Sequence, residues 1–317
     1  MKPRIGVVMD PIAAIHYHKD TTLALLWEMQ QRQAEIYYFE QQDLFLRDGK
    51  AYGQAKKLTV FRDPEKWFVL QPAEVMPLEK LKTIFMRKDP PFDMEYIYTT
   101  YLLEHAERDG VKVINRPQAL RDANEKLFAT WFPECMPPTL VTRDSERLQA
   151  FLDEQGEIVC KPLHGMGGTD VFRLHQGAAD ASAVFALQTQ QGNSYTMAQK
   201  FIPAIREGDK RILIIDGEAF PHALARIPQG KEWRGNLALG AKGVAQPLTE
   251  HDQWICSQVG PVLREKGLFF VGLDVIGDYL TEINVTSPTG MVEIAAQTDC
   301  NPANVFMDAL ERKCAGL

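Results

Sequence analysis

The sequence lacks most features that mark a secreted, membrane-bound or nucleic-acid-binding protein. Its five cysteines are odd in number and scattered, and none forms a C-x-x-C pair, so neither a disulfide framework nor a zinc site is indicated. No uncharged apolar stretch approaches the roughly 18 residues of a membrane span, and the first apolar run ends at Asp10, too early for a signal peptide. The net charge is −7 and no lysine or arginine block occurs, so nucleic acid is not an expected partner. These absences predict a soluble cytoplasmic protein with no membrane partner.

Two classes of catalytic site are also unsupported. The seven histidines show no metal-binding spacing such as H-x-x-x-H, and neither a G-x-S-x-G motif nor an ordered Ser/His/Asp set occurs. The 317 residues are otherwise of ordinary globular composition, 45% hydrophobic and 24% charged, with enough length for two or three domains.

The first third of the chain alternates β-rich and helical segments. Strands are expected at 5–9, 35–40, 83–86 and 111–115, and helices at 20–31 and 93–108. This alternation predicts an α/β domain with an open parallel sheet over residues 1–121. Ligands of such sheets bind beyond the carboxyl ends of the strands, where Asp10 and the segment 87–91 (RKDPP) lie.

The remainder of the chain predicts α+β structure with antiparallel sheets. We expect a small subdomain at 122–202, followed by a C-terminal subdomain at 203–317. Asp122 and Glu125 have capping-box spacing, which predicts a helix carrying Lys126. The Asp-Gly pair after residue 215 predicts a hairpin, and a glycine-rich loop at 228–243 has the length of an active-site lid or a disordered segment.

Two loops have the composition of a nucleotide site. The segment 161–170 (KPLHGMGGTD) contains glycines, whose backbone N–H groups can approach phosphate oxygens, next to a lysine. It matches neither G-x-x-x-x-G-K-[ST] nor G-x-G-x-x-G, so a plain turn between strands stays open as an alternative. The segment 199–203 (QKFIP) is either a strand edge closed by proline or a slot for a nucleotide base.

Three arginines border the predicted hairpin and loop. Arg211 and Arg226 lie on its two strands, and Arg234 lies in the glycine-rich loop. Arginine forks match phosphate and carboxylate oxygens at two points, so this convergence suits a polyanion. Ordinary surface charge is the alternative.

The sharpest feature is a set of polar residues in two apolar strands near the C-terminus. Asp274, Glu282 and Asn284 supply the hard oxygen ligands that Mg²⁺ prefers. A regular hairpin with a two-residue turn at 277–278 would place Asp274 opposite Thr281 and direct Glu282 to the other face. A three-residue loop or a β-bulge would pair Asp274 with Glu282, so a metal site requires an irregular hairpin. Solvent-facing strand carboxylates are the alternative.

In this order the features resemble the ATP-grasp fold, and several strings are similar to those of bacterial glutathione synthetases over essentially the whole chain. The strings are MDPIAAI, MRKDPPFD, NRPQALRDANEKL, KPLHGMGG, DKRILIIDGE, ARIPQG…RGNLALG and LDVIGDYLTEINVTSPTG.

The resemblance implies a role for each candidate site residue. Nucleotide binding falls on Lys126, Lys161, Gly165, Gly167, Gly168, Gln199, Lys200, Phe201, Ile202 and Asp209. Metal binding falls on Asp274, Glu282 and Asn284, and direct catalytic roles on Arg211, Arg234 and Asn236. Substrate binding falls on Arg87, Asp89, Arg226, Ser287 and Thr289.

The implied reaction is the ATP-dependent ligation of glycine to γ-glutamylcysteine, through an acyl phosphate, to give glutathione, ADP and phosphate. ATP and two Mg²⁺ ions, replaceable by Mn²⁺, are the implied cofactors, and a homotetramer is the assembly expected from the family. No general base for the glycine amine is evident. Another ATP-grasp carboxylate–amine ligase with a different acceptor, or a non-catalytic ATP-binding protein, remains an alternative.

Overall fold

The computed structural model describes residues 2–165, 167–230 and 232–315. The first part of the chain forms a mixed sheet flanked by helices. Its elements are β1 (Arg4–Met9), α1 (Thr21–Gln31), β2 (Glu35–Phe39), β3 (Leu44–Arg47), β4 (Lys50–Val60), β5 (Phe68–Leu70), β6 (Glu74–Pro77), β7 (Thr83–Arg87), α2 (Met94–Arg108), β8 (Lys112–Ile114) and α3 (Pro117–Asp122).

The predicted parallel sheet is the centre of this unit. Strands β2, β1, β7 and β8 pair in parallel, in that order. An antiparallel extension, in which β4 pairs with β2, β3, β5 and β6, was not predicted. Strand β4 (KAYGQAKKLTV) has polar and small residues where a buried parallel strand would be apolar, because one of its faces is solvated.

The middle of the chain forms a small four-stranded antiparallel sheet in the order β11-β10-β12-β9. Its elements are β9 (Thr139–Thr142), α4 (Ser145–Gln155), β10 (Glu157–Pro162), β11 (Phe172–His175), α5 (Ala181–Gln188) and β12 (Thr196–Lys200). Leu148 and Leu152 of α4 and Phe185 of α5 cover one face of this sheet in a hydrophobic cluster of their own. The sheet therefore has a core separate from the rest of the chain.

The last part forms a five-stranded antiparallel sheet in the order β15-β14-β13-β16-β17. Its elements are β13 (Asp209–Ile215), β14 (Glu218–Ile227), β15 (Lys242–Pro247), α6 (Glu250–Lys266), β16 (Phe270–Ile276), β17 (Tyr279–Asn284), α7 (Met291–Ala295) and α8 (Pro302–Ala315). Phe306 of α8 contacts Phe85 of the first sheet and Phe269, with ring centroids 5.6 and 5.1 Å apart. The first and last parts of the chain thus share a core.

Aspartate residues cap three of the helices. Asp20, Asp93 and Asp144 each accept a hydrogen bond from the first turn of their helix. The prediction of a helix that carries Lys126 is wrong. Helix α3 ends at Asp122, and a turn that contains Lys126 leads into a short 3₁₀ helix at Phe128–Trp131. Within the described residues, no helix has the length and apolar character needed to cross a membrane.

Candidate active site

The small sheet faces the five-stranded sheet across a deep cavity. The cavity contains about 1050 Å³ of space not filled by protein atoms, including space that is open to solvent. Lys161, near the end of β10, crosses between the sheets, and its Nζ donates to the Thr281 carbonyl at 3.0 Å.

Every residue predicted to bind nucleotide lies in the lining of this cavity. They are Lys126, Lys161, Gly165, Gly167, Gly168, Gln199, Lys200, Phe201, Ile202 and Asp209. The predicted metal ligands Asp274, Glu282 and Asn284 line it too, as do Arg211, Arg226, Arg234 and Asn236. Among the described lining residues, six lysines and arginines outnumber three carboxylates. The excess of positive charge suits an anionic ligand.

The hairpin of β16 and β17 has the bulge that a metal site requires. Its turn at 277–278 contains two residues, since Ile276 pairs with Tyr279. The register then shifts, and Asp274 pairs with Glu282. The extra residue is Thr281, whose hydroxyl donates to the Asp274 carbonyl at 3.1 Å. The bulge therefore restores the convergence that the two-residue turn alone would have destroyed.

Two cross-strand pairs build a buried charge cluster beneath the cavity. Arg211 lies opposite Asp274, and Asp209 lies opposite Arg226. Arg211 grips Asp274 at two points, with Nε–Oδ1 at 2.5 Å and Nη2–Oδ2 at 3.0 Å. Arg226 Nη2 bridges both carboxylates, at 2.6 Å from Asp209 Oδ2 and 3.0 Å from Asp274 Oδ2.

The two carboxylates of the cluster differ in electrostatic environment. Burial opposes ionisation of Asp274, but the guanidinium groups of Arg211 and Arg226 outweigh it and hold its pKa well below the usual range. Burial dominates at Asp209 and raises its pKa. Asp209 Oδ1 is buried and has no hydrogen-bond partner among the described residues. A free acceptor of this kind, in the cavity lining, is suited to a ligand hydroxyl.

Two lysines connect the glycine loop side of the cavity with β17. Lys126 Nζ lies 3.1 Å from both Glu282 Oε1 and the Gly165 carbonyl. Burial lowers the pKa of Lys161 to about 8. A bound phosphate would stabilise the charged form of Lys161 and offset the free-energy cost of burying its ammonium group.

The glycine-rich loop covers the opening of the cavity. Arg234 is held by Glu232 at two points, 2.8 and 2.9 Å, and its Nη1 donates to the Gly168 carbonyl at 2.7 Å. Trp233 meets Phe201 edge-on, with ring centroids 6.2 Å apart. Asn236 caps a 3₁₀ turn by accepting from the Ala238 N–H at 2.8 Å. Arg234 and Trp233 thereby connect the loop to Gly168 and Phe201 on the small-sheet side of the cavity. Lys231 of the loop, like Met166 of the glycine loop, lies outside the described residues.

A second cavity adjoins the first on the side of the N-terminal sheet. Its described lining includes the predicted substrate residues Asp89, Arg226, Ser287 and Thr289, and it shares Gly167, Arg211, Arg226, Asn236 and Asn284 with the first cavity. Arg87 does not line it among the described residues. Arg87 is buried beneath the tail, with Nη2 donating to the Pro288 carbonyl at 3.0 Å and Nε to Thr22 Oγ1 at 3.0 Å.

The chemistry of the donor set fits Mg²⁺. Asp274, Glu282 and Asn284 offer two carboxylates and an amide on neighbouring strands, and Mg²⁺ is commonly bound by one or two carboxylates together with substrate phosphates and water. The described residues contain no cluster of three or more His, Cys, Asp or Glu side chains that could hold a metal alone. A magnesium ion here would therefore depend on ligand oxygens.

Trp233 and Glu125 are among the cavity residues that were not predicted to be part of the site. Trp233 has a signal in the sequence, an aromatic residue beside Arg234 in a glycine-rich loop. Glu125 has none, because its spacing from Asp122 indicated a helix cap. Its carboxylate instead accepts from the backbone N–H groups of Val285 and Thr286 and lines the second cavity.

Comparison with solved structures places the fold among ATP-grasp ligases. The D-cycloserine synthetase DcsG matches with a TM-score of 0.68 at 15% identity, covering 98% of this chain and 99% of that one. The ATP-grasp ligase PsnB, in complex with a minimal precursor, Mg and ADP, matches with a TM-score of 0.63 at 17% identity and 98% coverage of both chains. At these identities the likeness shows the fold alone.

Sequence relatives are far closer. Glutathione synthetases from Pseudomonas putida, Coxiella burnetii and Escherichia coli are 55%, 54% and 50% identical, over 98–99% of this chain and of their own length. Models of the prokaryotic glutathione synthetase N-terminal domain and ATP-grasp domain match residues 4–121 and 125–299. The chain therefore belongs to the prokaryotic glutathione synthetase family.

Proposed function

We propose that the protein ligates glycine to γ-glutamylcysteine, with ATP converted to ADP and phosphate. The strongest support is the pairing of two adjoining cavities with family membership over nearly the whole chain. Arg211, Arg226 and Asn284 line both cavities, so groups bound in each would meet at these side chains. Shared cationic walls are what transfer of a phosphoryl group from one cavity to a carboxylate in the other requires.

The first cavity would take ATP. Lys126, Lys161 and the glycine loop would hold its phosphates, Gln199–Ile202 would enclose the adenine, and the unpartnered Oδ1 of Asp209 would accept from a ribose hydroxyl. Asp274, Glu282 and Asn284 would hold Mg²⁺, which when bound neutralises phosphate charge and orients the transferred group. Two ions, with Mn²⁺ as a substitute, belong to the same proposal.

The second cavity would take the acceptor. The cysteinyl carboxylate of γ-glutamylcysteine would attack the γ-phosphorus of ATP, the bond from that phosphorus to the bridging oxygen of ADP would break, and an acyl phosphate would form as ADP leaves. The glycine amine would then attack the activated carbonyl, phosphate would leave, and the amine proton would pass to water or to the departing phosphate. Arg211 and Arg226 would orient the carboxylate, and the loop fastened by Arg234 would keep water from the acyl phosphate.

Turnover with a panel of amines tests this assignment. The purified protein is given ATP, Mg²⁺ and γ-glutamylcysteine with glycine, alanine, serine or β-alanine, and ADP and peptide product are both measured. We expect glycine to be preferred and one ADP to form per glutathione. Equal rates with all four amines would point instead to an ATP-grasp ligase of other specificity. Homotetrameric assembly, measured by light scattering, and a cytoplasmic location stay predictions.

A further inference from the structure

A single carboxylate anchors the segment that links the two cavities. Glu125 Oε1 accepts three hydrogen bonds, from Val285 N at 2.8 Å, Thr286 N at 3.0 Å and Thr286 Oγ1 at 2.9 Å. The backbone carbonyl of Glu125 also accepts from Ile283 N at 2.9 Å. Four hydrogen bonds therefore join one residue to the stretch 283–286.

This stretch lies between the groups that the reaction has to align. Glu282, which precedes the stretch, lines the nucleotide cavity, and Asn284 within it lines both cavities. Ser287 and Thr289, which follow the stretch, line the acceptor cavity. With an advance of about 3.3 Å per extended residue, a slip of one position would displace the acceptor side chains by more than the tolerance of the reaction.

The neighbouring residue extends the same anchor to the phosphate side. Lys126 Nζ contacts Glu282 and the Gly165 carbonyl, each at 3.1 Å. Glu125 and Lys126 thus form a two-residue connector. This connector contacts strand β17, the segment that leads from β17 to Ser287, and the glycine loop. The connector follows α3 of the N-terminal unit, so it also fixes these parts relative to that unit.

The electrostatic setting argues against a purely structural carboxylate. No lysine, arginine or histidine within the described stretches makes a salt bridge with Glu125. Burial raises the pKa of Glu125, and the nearby carboxylate of Glu282 raises it further. Stability alone would favour a neutral residue at a buried site beside another carboxylate. The unfavourable burial of this carboxylate is explained if it is needed to accept hydrogen bonds from three converging donors.

We propose that Glu125 is a positioning residue for the ligase reaction: through segment 283–286 it sets the distance between the metal-binding end of β17 and the acceptor tail. The inference rests on the proposed function, since it concerns the alignment of the same two substrates. Glu125 would act through Asn284 and Ser287 rather than on the reacting atoms.

Four variants test the proposal: Glu125→Ala, Glu125→Gln, Thr286→Val and, as a control, Glu104→Ala. Glu104 pairs with Arg121 and Arg108 on α2 and α3 and lines neither cavity among the described residues. We measure kcat, KM for ATP and for γ-glutamylcysteine, and the melting temperature of each. Wild-type turnover reports on the proposed function, whereas the ratio of variant to wild type reports only on Glu125.

We expect Glu125→Ala to lower kcat about 100-fold, the scale of a misplacement of about 1 Å, with KM for ATP within about threefold of wild type. Glu125→Gln keeps an oxygen for the same three donors, so its kcat should stay within about fivefold. Thr286→Val removes one donor and should lower kcat about five- to tenfold. Glu104→Ala should lower the melting temperature without changing kcat.

Three outcomes would overturn the proposal. One is a folded Glu125→Ala variant with kcat within threefold of wild type. Another is Glu125→Gln losing as much activity as Glu125→Ala, which would make charge rather than hydrogen bonding the requirement. If Glu125→Ala does not fold, Thr286→Val decides the matter, and an unchanged kcat in that variant refutes the positioning role.

Discussion

Substitution of Asp274 tests the buried charge cluster. A second buried ion pair, Lys210–Asp252, begins one residue before Arg211 on β13 and serves as a matched control. The change Asp274→Asn keeps the shape of the side chain and removes its charge. Arg211 then loses its only partner within salt-bridge distance in the described part of the chain, whereas Arg226 keeps Asp209 at 2.6 Å. The variant therefore leaves the buried guanidinium group of Arg211 without an anionic partner.

The size of the effect follows from burial. Asp274 and Arg211 are 5% and 7% exposed, so solvent screens their interaction little. Breaking such a pair by removing one partner costs about 3–5 kcal/mol. The cavity above the cluster admits water to part of it, so we expect about 3 kcal/mol of lost stability. Loss of one metal oxygen should lower kcat by about 10²–10³-fold, the scale found for single electrostatic contacts to a transition state.

The control is Asp252→Asn. Asp252 is fully buried and pairs with Lys210, the residue before Arg211 on β13, on the opposite face of the sheet. This variant should lose a similar amount of stability in urea unfolding while its kcat stays within about threefold of wild type. Stability and catalysis are thereby separated with two buried pairs on adjacent residues.

The pH dependence gives a second readout. Because the folded-state pKa of Asp274 is depressed, its contribution to stability is complete above the unfolded value of about 3.9 and is lost as pH falls through the lower, folded-state value. The difference in unfolding free energy between wild type and Asp274→Asn should stay constant from pH 8 to 5 and shrink below pH 4. Equal stability of the two proteins at pH 7, or full activity of the variant, would refute the reasoning.

Two further predictions concern the phosphate side and the loop. Burial lowers the pKa of Lys161 to about 8, so its charge is lost as pH rises above that value, and KM for ATP should rise between pH 7 and 9.5. The rise should be missing in Lys161→Met, and a wild-type KM independent of pH would contradict the role of this lysine. Arg234→Ala frees the loop from Gly168, so water should reach the acyl phosphate and more phosphate than glutathione should form. A ratio of one in this variant would show that Arg234 does not hold the loop.

Local chemistry was enough to predict many of the elements and most of the polar side chains that line the two cavities. The alternation of strands and helices predicted the parallel sheet, and the helices expected at 20–31 and 93–108 are α1 and α2, capped by Asp20 and Asp93. The antiparallel extension of the first sheet escaped because the pattern of β4 is set by long-range pairing with four other strands. Glu125 escaped because its partners lie 160 and 161 residues further along the chain.

The hairpin of β16 and β17 shows where such reasoning stops. From the sequence, Asp274 and Glu282 converge only if the hairpin contains a three-residue loop or a β-bulge. The turn at 277–278 has two residues, so by itself it would direct the two carboxylates to opposite faces. The condition is met by Thr281, whose hydroxyl donates to the Asp274 carbonyl and whose own carbonyl accepts from Lys161. The bulge at Thr281 is therefore held by contacts between β10, β16 and β17. Such long-range contacts cannot be read from the residues of the hairpin alone.

The bulge also places the ion pairs of the cavity next to the proposed metal ligands. Thr281 is the extra residue, and its carbonyl holds the Lys161 ammonium while Glu282 is paired with Lys126. Asp274 is paired with Arg211 and Arg226, so each predicted metal carboxylate has a cation of the protein beside it. If an incoming anion bound these cations, the carboxylate oxygens would be free to hold Mg²⁺, so we expect phosphate and metal binding to support one another. We therefore expect the metal–nucleotide complex, the form of ATP that phosphoryl transfer uses, to bind more tightly than either part alone.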